Sequence, residues 1–134
     1  MADSGIQAPF SLFNTQAMLM DNGVARALDS GSAPPETRGE AAGGGWTVLV
    51  QHVAESWGEW ERQRQGGAFL FLLWGAAEAL VSDDPAGGAV AAHALKAGSA
   101  FIVPAGAWCR VMVDEPANLF MAIRANDVER MAAQ

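Results

Sequence analysis

Turn signals cut this chain into short apolar segments every six to twelve residues, and few folds tolerate that spacing. Asp21-Asn22-Gly23, Gln65-Gly66-Gly67, Asp83 to Gly88, Ala97-Gly98-Ser99, Pro104-Ala105-Gly106 and Asp114-Glu115-Pro116 all combine residues that accept positive φ or fix it near −65°. The segments between them are too short for globular helices, and several alternate. Gln16–Met20 and Val24–Leu28 flank the Asn-Gly turn as an N-terminal hairpin. From Trp46 the pattern becomes denser, with strands expected over 46–53, 57–63, 69–74, 78–82, 90–95, 101–103, 108–113 and 118–124. About ten short strands predict a closed all-β barrel or sandwich. Phe69–Trp74 is almost unbroken in its apolarity and reads as a strand buried on both faces.

The ends differ. Residues 1–10 are expected as an extended arm, and 30–45, from Ser30 to the Gly43-Gly44-Gly45 run, as a surface loop: a connector, or a lid over a barrel mouth. Asn126 and Glu129 stand in capping-box spacing before Val128, Met131 and Ala132, which predicts a short C-terminal helix. The organisation is thus an arm, hairpin and loop over 1–45, a barrel over 46–124 and a helix over 125–134, in one domain. With 134 residues and 51% hydrophobic content, such a domain can bury one core without staples.

Charge excludes some partners. The net charge is −7, and the eight basic residues are scattered, so no footprint for nucleic acid or anionic membrane exists. Charged residues are only 17%, which suggests apolar surface covered by a partner, most simply a second copy. The single cysteine, Cys109, allows no internal disulfide and fits a cytoplasmic location. The first ten residues carry no signal-peptide pattern, and the most apolar run, Ala68–Ala77, is about half the ~20 residues of a spanning helix.

Two stretches resemble the motifs of small single-domain cupins. Trp60-Glu-Arg-Gln-Arg-Gln-Gly-Gly-Ala-Phe-Leu-Phe-Leu-Leu-Trp-Gly75 is similar to the first motif, W-E-x-H-P-x-G-D-E-x-x-x-x-x-x-G. Ala97-Gly-Ser-Ala-Phe-Ile-Val-Pro-Ala-Gly-Ala-Trp-Cys-Arg110 is similar to the second, x-G-D-x-x-x-x-P-x-G-x-W-H-R. The spacing of Gly98, Pro104, Gly106 and Trp108 is the most specific part. The resemblance implies a double-stranded β-helix, or jelly-roll barrel, preceded by a hairpin arm. It also implies a metal site built from His, His, Glu and His. Those positions here are Glu61, Gln63, Ala68 and Cys109, so no imidazole remains, and Gly67 replaces the motif's Asp. The expectation is therefore a degenerate site with no native metal or other cofactor.

Strand parity places Glu59, Glu61 and Gln63 on one face, and the resemblance makes that face the interior. Leu70, Leu72, Cys109 and Val111 are expected inside as well, with Trp57 and Trp108 filling the cavity or lining its mouth and His52 nearby. Ala68 and Cys109 are smaller than the residues they replace, which enlarges the cavity unless neighbours fill it. A carboxylate there has its pKa raised by desolvation and suits acid/base work, with Glu61 first and Glu59 second. Equally, either Glu pairs with Arg62, Arg64 or Arg110 as plain structure. Cys109 is a nucleophile only if a base makes its thiolate, and neither His52 nor His93 has motif spacing to it; otherwise it is a small buried filler.

Three functions stay open from the residues. The first is a metal-free cupin binding a small organic molecule, with or without an isomerisation, cyclisation or elimination step. The second is a non-catalytic ligand sensor or structural homodimer, which a packed barrel would favour. The third is a metalloenzyme with a rebuilt site.

Overall fold

In a computed structural model, residues 8–27, 45–64, 66–124 and 128–133 are described. They form eleven strands and no helix. β1 (Ala17–Leu19) and β2 (Ala25–Ala27) make the hairpin. β3 (Trp46–Val53), β4 (Glu59–Gln63), β5 (Ala68–Trp74) and β6 (Ala76–Ser82) follow. Then come β7 (Ala91–Lys96), β8 (Ala100–Val103), β9 (Trp108–Met112), β10 (Ala117–Ile123) and β11 (Val128–Ala132).

All pairings are antiparallel. One sheet has the order β2-β1-β3-β10-β5-β8, the other β11-β4-β9-β6-β7. From β3 onward the chain crosses repeatedly between the two sheets, and this alternation winds a double-stranded β-helix. Glycine makes two of the passages possible. Gly75 (φ 95°) joins β5 to β6, and a Cβ on it would lie 3.0 Å from the Cβ of Ala117. At Gly67 a Cβ would stand 2.4 Å from the Val103 carbonyl oxygen. The motif Asp is thus excluded by close backbone approach.

The core lies between the sheets. β10 shows the rule most plainly, with Ala117, Leu119, Met121 and Ile123 buried and the residues between them half-buried. Leu70 and Leu72 on β5, Leu49 and Val53 on β3, and Ala79, Cys109 and Val111 from the opposite sheet complete it. Each large aliphatic side chain buried there contributes about 1.5–3 kcal/mol.

Two expectations are corrected. The C-terminal helix is absent: Val128–Ala132 is β11, pairing with β4 over Val128↔Gln63 to Ala132↔Glu59. Pairing satisfies the backbone of an otherwise open β4 edge and sets Glu129 beside Arg62 and Arg64, with Arg130 beside Glu59 and Glu61. These long-range gains outweigh a weak local capping preference. The capping residue Asn126 lies outside the described residues, as do most of the proposed arm and loop. The second correction concerns β5, which is buried on one face only. Phe69 and Phe71 are half-buried on the outer side, and Leu73 and Trp74 are exposed.

Candidate functional site in the barrel interior

Glu59, Glu61 and Gln63 fall at alternate positions of β4, and the pairing partners of Glu61 define the site. Cys109 of β9 faces it on one side and Arg130 of β11 on the other. Val81 of β6 lies beyond Cys109, so Arg130, Glu61, Cys109 and Val81 form one row across the inner face of the five-stranded sheet. Glu61 Oε2 sits 3.5 Å from Arg130 Nε, and Glu59 Oε1 sits 3.9 Å from the same nitrogen. The Glu61 side chain is 17% exposed, against 55% for Glu59. Glu61 is therefore the inner carboxylate, and Glu59 stands at the solvent edge. The arginine that holds both is none of the three anticipated. It became a partner only because the tail is a strand.

Gln63 is buried, and its Oε1 accepts the backbone N–H of Arg124 at 3.2 Å. Cys109 is 5% exposed. Burial, with a smaller push from the Glu61 charge, raises its thiol pKa to about 12. A thiol so raised stays protonated near neutral pH and is no free nucleophile. His52 lies on the outer face of β3, its Nδ1 2.7 Å from Asn118 Oδ1. His93 is exposed on β7, its ring 4.8 Å from that of Phe101. His93 stands opposite the core residue Ala79 at the barrel's edge, and neither imidazole lines the cavity at Glu61. Trp108 also points outward, with the Arg62 guanidinium 4.7 Å above its ring. Leu72 and Val111 are core residues away from the cavity wall.

A cavity does remain at the row. Its walls include Trp57, Glu61, Leu70, Cys109 and, unforeseen from sequence, Val103 and Met121. The space open to the centre of a water-sized sphere is about 20 Å³. One water needs ~10–15 Å³ on this measure. The volume given up at Ala68 and Cys109 is thus filled by neighbours, and the interior has not widened. Trp57 Nε1 is buried with no hydrogen-bond partner among the described residues. A wider groove, about 770 Å³, opens at the other end of β5, between Trp74, Glu78, Met112 and the 114–116 turn.

The four positions implied for a metal do not suit one. Glu61 is engaged by Arg130, Gln63 Oε1 by a backbone amide, and Ala68 has no donor. Among the described residues no three His, Cys, Asp or Glu side chains converge as a metal would require.

No protein-family model matches the chain, and no curated protein does. Solved structures match by shape. A conserved protein with a double-stranded β-helix domain from Klebsiella pneumoniae aligns with TM-score 0.51 and 20% identity, over 66% of this chain and 76% of that one. A cupin-2 domain protein from Shewanella frigidimarina aligns with TM-score 0.47 and 13% identity, over 73% and 85%. Hydroquinone 1,2-dioxygenase from Sphingomonas sp. TTNP3 aligns with TM-score 0.49 and 14% identity, over 63% of this chain and 59% of its own. The chain has the cupin fold, a double-stranded β-helix. Likeness at this identity concerns fold and not chemistry. No helix among the described residues is long and apolar enough to cross a membrane.

Proposed function

We propose that the protein is a metal-independent binding module on the cupin fold, recognising its ligand or partner at its surface without turning over a substrate in the barrel. The observation that carries this reading is the interior itself: about 20 Å³ of space, walled by a carboxylate in an ion pair and a thiol held protonated. Pockets for organic ligands are far larger, on the order of 300–1,000 Å³. A second reading, favoured by the unpartnered Trp57 Nε1–H, is a small organic ligand whose oxygen accepts that hydrogen beside Glu61. Glu61 would then serve as acid or base.

One experiment separates the two. The 15N-labelled protein is titrated with phenols, alcohols and aromatic carboxylates, and its metal content is measured by elemental mass spectrometry. Unmoved amides at Glu61, Leu70, Cys109 and Met121, with a metal-to-protein ratio near zero, are expected. Saturable shifts at those amides would overturn the proposal in favour of the small-ligand reading, and Glu61→Gln would then decide whether catalysis accompanies binding. A ratio near one would restore a metal site.

A further inference from the structure

The groove of about 770 Å³ opens where β5 turns into β6, and β7, β9 and the 114–116 turn complete its walls. Small side chains make the room. Ala76, Ala77 and Ala94 lie along it, with Met112 and Val113 beside them. Its frame is fixed. A Cβ on Gly75 would come within 3.1 Å of the Pro116 carbonyl oxygen. Ser56 ties Val113 down twice, donating to its carbonyl at 3.1 Å and accepting its N–H at 2.8 Å.

The charged walls carry one sign. Glu78 stands in register between Met112 and Ala94, and Asp114 and Glu115 close the end of the groove. All three are exposed, and no lysine or arginine lines the groove among the described residues. Lys96 sits across the ladder from Ala76 without forming a wall. Asp21, Glu59, Glu61 and Glu129 each meet an arginine of the chain, whereas Glu78, Asp114 and Glu115 have no ion pair among the described residues. The aromatic wall is equally uncovered. Trp74 is 60% exposed, while the other four tryptophans are buried or half-buried. Two of those four hold a guanidinium over the ring, Arg62 at 4.7 Å from Trp108 and Arg124 at 6.0 Å from Trp46. Trp74 has no such cation among the described residues.

We propose that this groove takes an arginine-bearing segment of a partner protein. The site rests on the surface-binding role proposed above and locates it. Charge complementarity selects the occupant. A guanidinium pairs with carboxylates and stacks on aromatic faces, and the groove offers both without a cation of its own. The methylene stem of the same side chain lies along the alanine and methionine wall. A free organic cation is held by a cage of several aromatic rings, and this groove has one. Its volume falls in the range of roughly 300–1,000 Å³ typical of ligand sites, which leaves room for the backbone that carries the arginine. The net charge of −7 draws a basic segment toward the molecule from a distance.

The test uses the 15N-labelled chain and a capped peptide of alternating glycine and arginine. Saturable shifts are expected at the Trp74 indole N–H and at the amides of Gly75, Glu78 and Glu115. Trp74→Ala and Glu78→Gln should each weaken binding roughly fivefold or more, whereas Asp83→Asn, which removes the same charge outside the groove, should change it less than about twofold. Trp74, Glu78 and Asp83 are all exposed, so the variants keep the fold, and their spectra away from the substitution confirm it. No saturable shift at the groove overturns the inference. A loss on Asp83→Asn equal to that on Glu78→Gln overturns it in favour of diffuse attraction. Argininamide binding as tightly as the peptide overturns it in favour of a free organic cation. None of these outcomes bears on the interior amides of Leu70, Cys109 and Met121, which decide the surface-binding role by themselves.

Discussion

The two outer faces of this barrel were built by the same alternation and ended with opposite chemistry. On the five-stranded sheet, outward positions carry Arg62 over Trp108, Glu129 accepting from Arg62 and Arg64, and Arg110 donating its Nε–H to the Trp57 carbonyl oxygen at 2.7 Å. On the six-stranded sheet the equivalent rows are aromatic and aliphatic, mostly half-buried, with Ile102 and Leu73 exposed. One face, Glu78 apart, satisfies its polar groups within the chain. The other leaves apolar area in water, which costs free energy until something covers it. The inner faces are alike in being packed, so the difference was not imposed by the core.

The strongest way to sharpen this contrast is to cut both sides of β5. Leu70→Ala, at an inward position 1% exposed, should cost about 2–5 kcal/mol in chemical denaturation at any protein concentration. Phe71→Ala should cost less, because its outward position is only half-buried. Equal losses would break the distinction between the faces.

Cys109 tests how closed the interior is. A folded-state thiol pKa of about 12, above the ordinary 9.0, means stability that is whole below pH 9 and declines as pH climbs toward 12. Alkylation near pH 8 should therefore proceed at the rate of unfolding. Fast, denaturant-independent labelling would show an open barrel.

Smaller effects are expected on the charged face. Arg62→Ala removes a cation–π contact and an ion pair, both partly exposed, and should lower stability by about 1 kcal/mol. Hydrogen bonds from Arg64 first and Arg62 second hold the Glu129 carboxyl at a pKa of about 2, below the ordinary 4.5. Its contribution is complete above pH 4.5 and vanishes as pH falls toward 2. Comparing acid unfolding of the wild type with Glu129→Gln should show a difference at pH 6 that shrinks to nothing near pH 2. No difference at any pH would mean that β11 is held by its backbone pairing alone.

Much of the architecture was legible along the chain because turns are local. Asn22-Gly23 and Pro104-Ala105-Gly106 announce reversals through φ preferences that need no distant partner, and Gly23 and Gly106 do take positive φ. Alternation over Ala117–Ile123 marked an inner face as plainly. The candidate site was less readable. Glu61, Gln63 and Cys109 were found from strand parity and motif spacing, and they do share one cavity. Arg130 was not, because Val128–Ala132 suits a helical period as well as a strand and only its pairing with β4 decides. Nor does an unbroken apolar run such as Phe69–Trp74 tell whether one face or two is covered.

Turn spacing and alternation settled a β-rich chain, although the tail read as a helix, and the positions that the cupin resemblance assigns to a metal hold a carboxylate, an amide, a methyl and a thiol in place of three imidazoles and a carboxylate. Composition settled a net charge of −7 as well. Pairing in three dimensions settled the rest: which arginine meets Glu61, how far neighbours close the vacated volume, and which strand face stays open. Turn preference and side-chain chemistry act within a few residues, whereas strand partners, cavity volume and exposure depend on segments far apart in the chain, as Glu61 and Arg130 are at 69 positions.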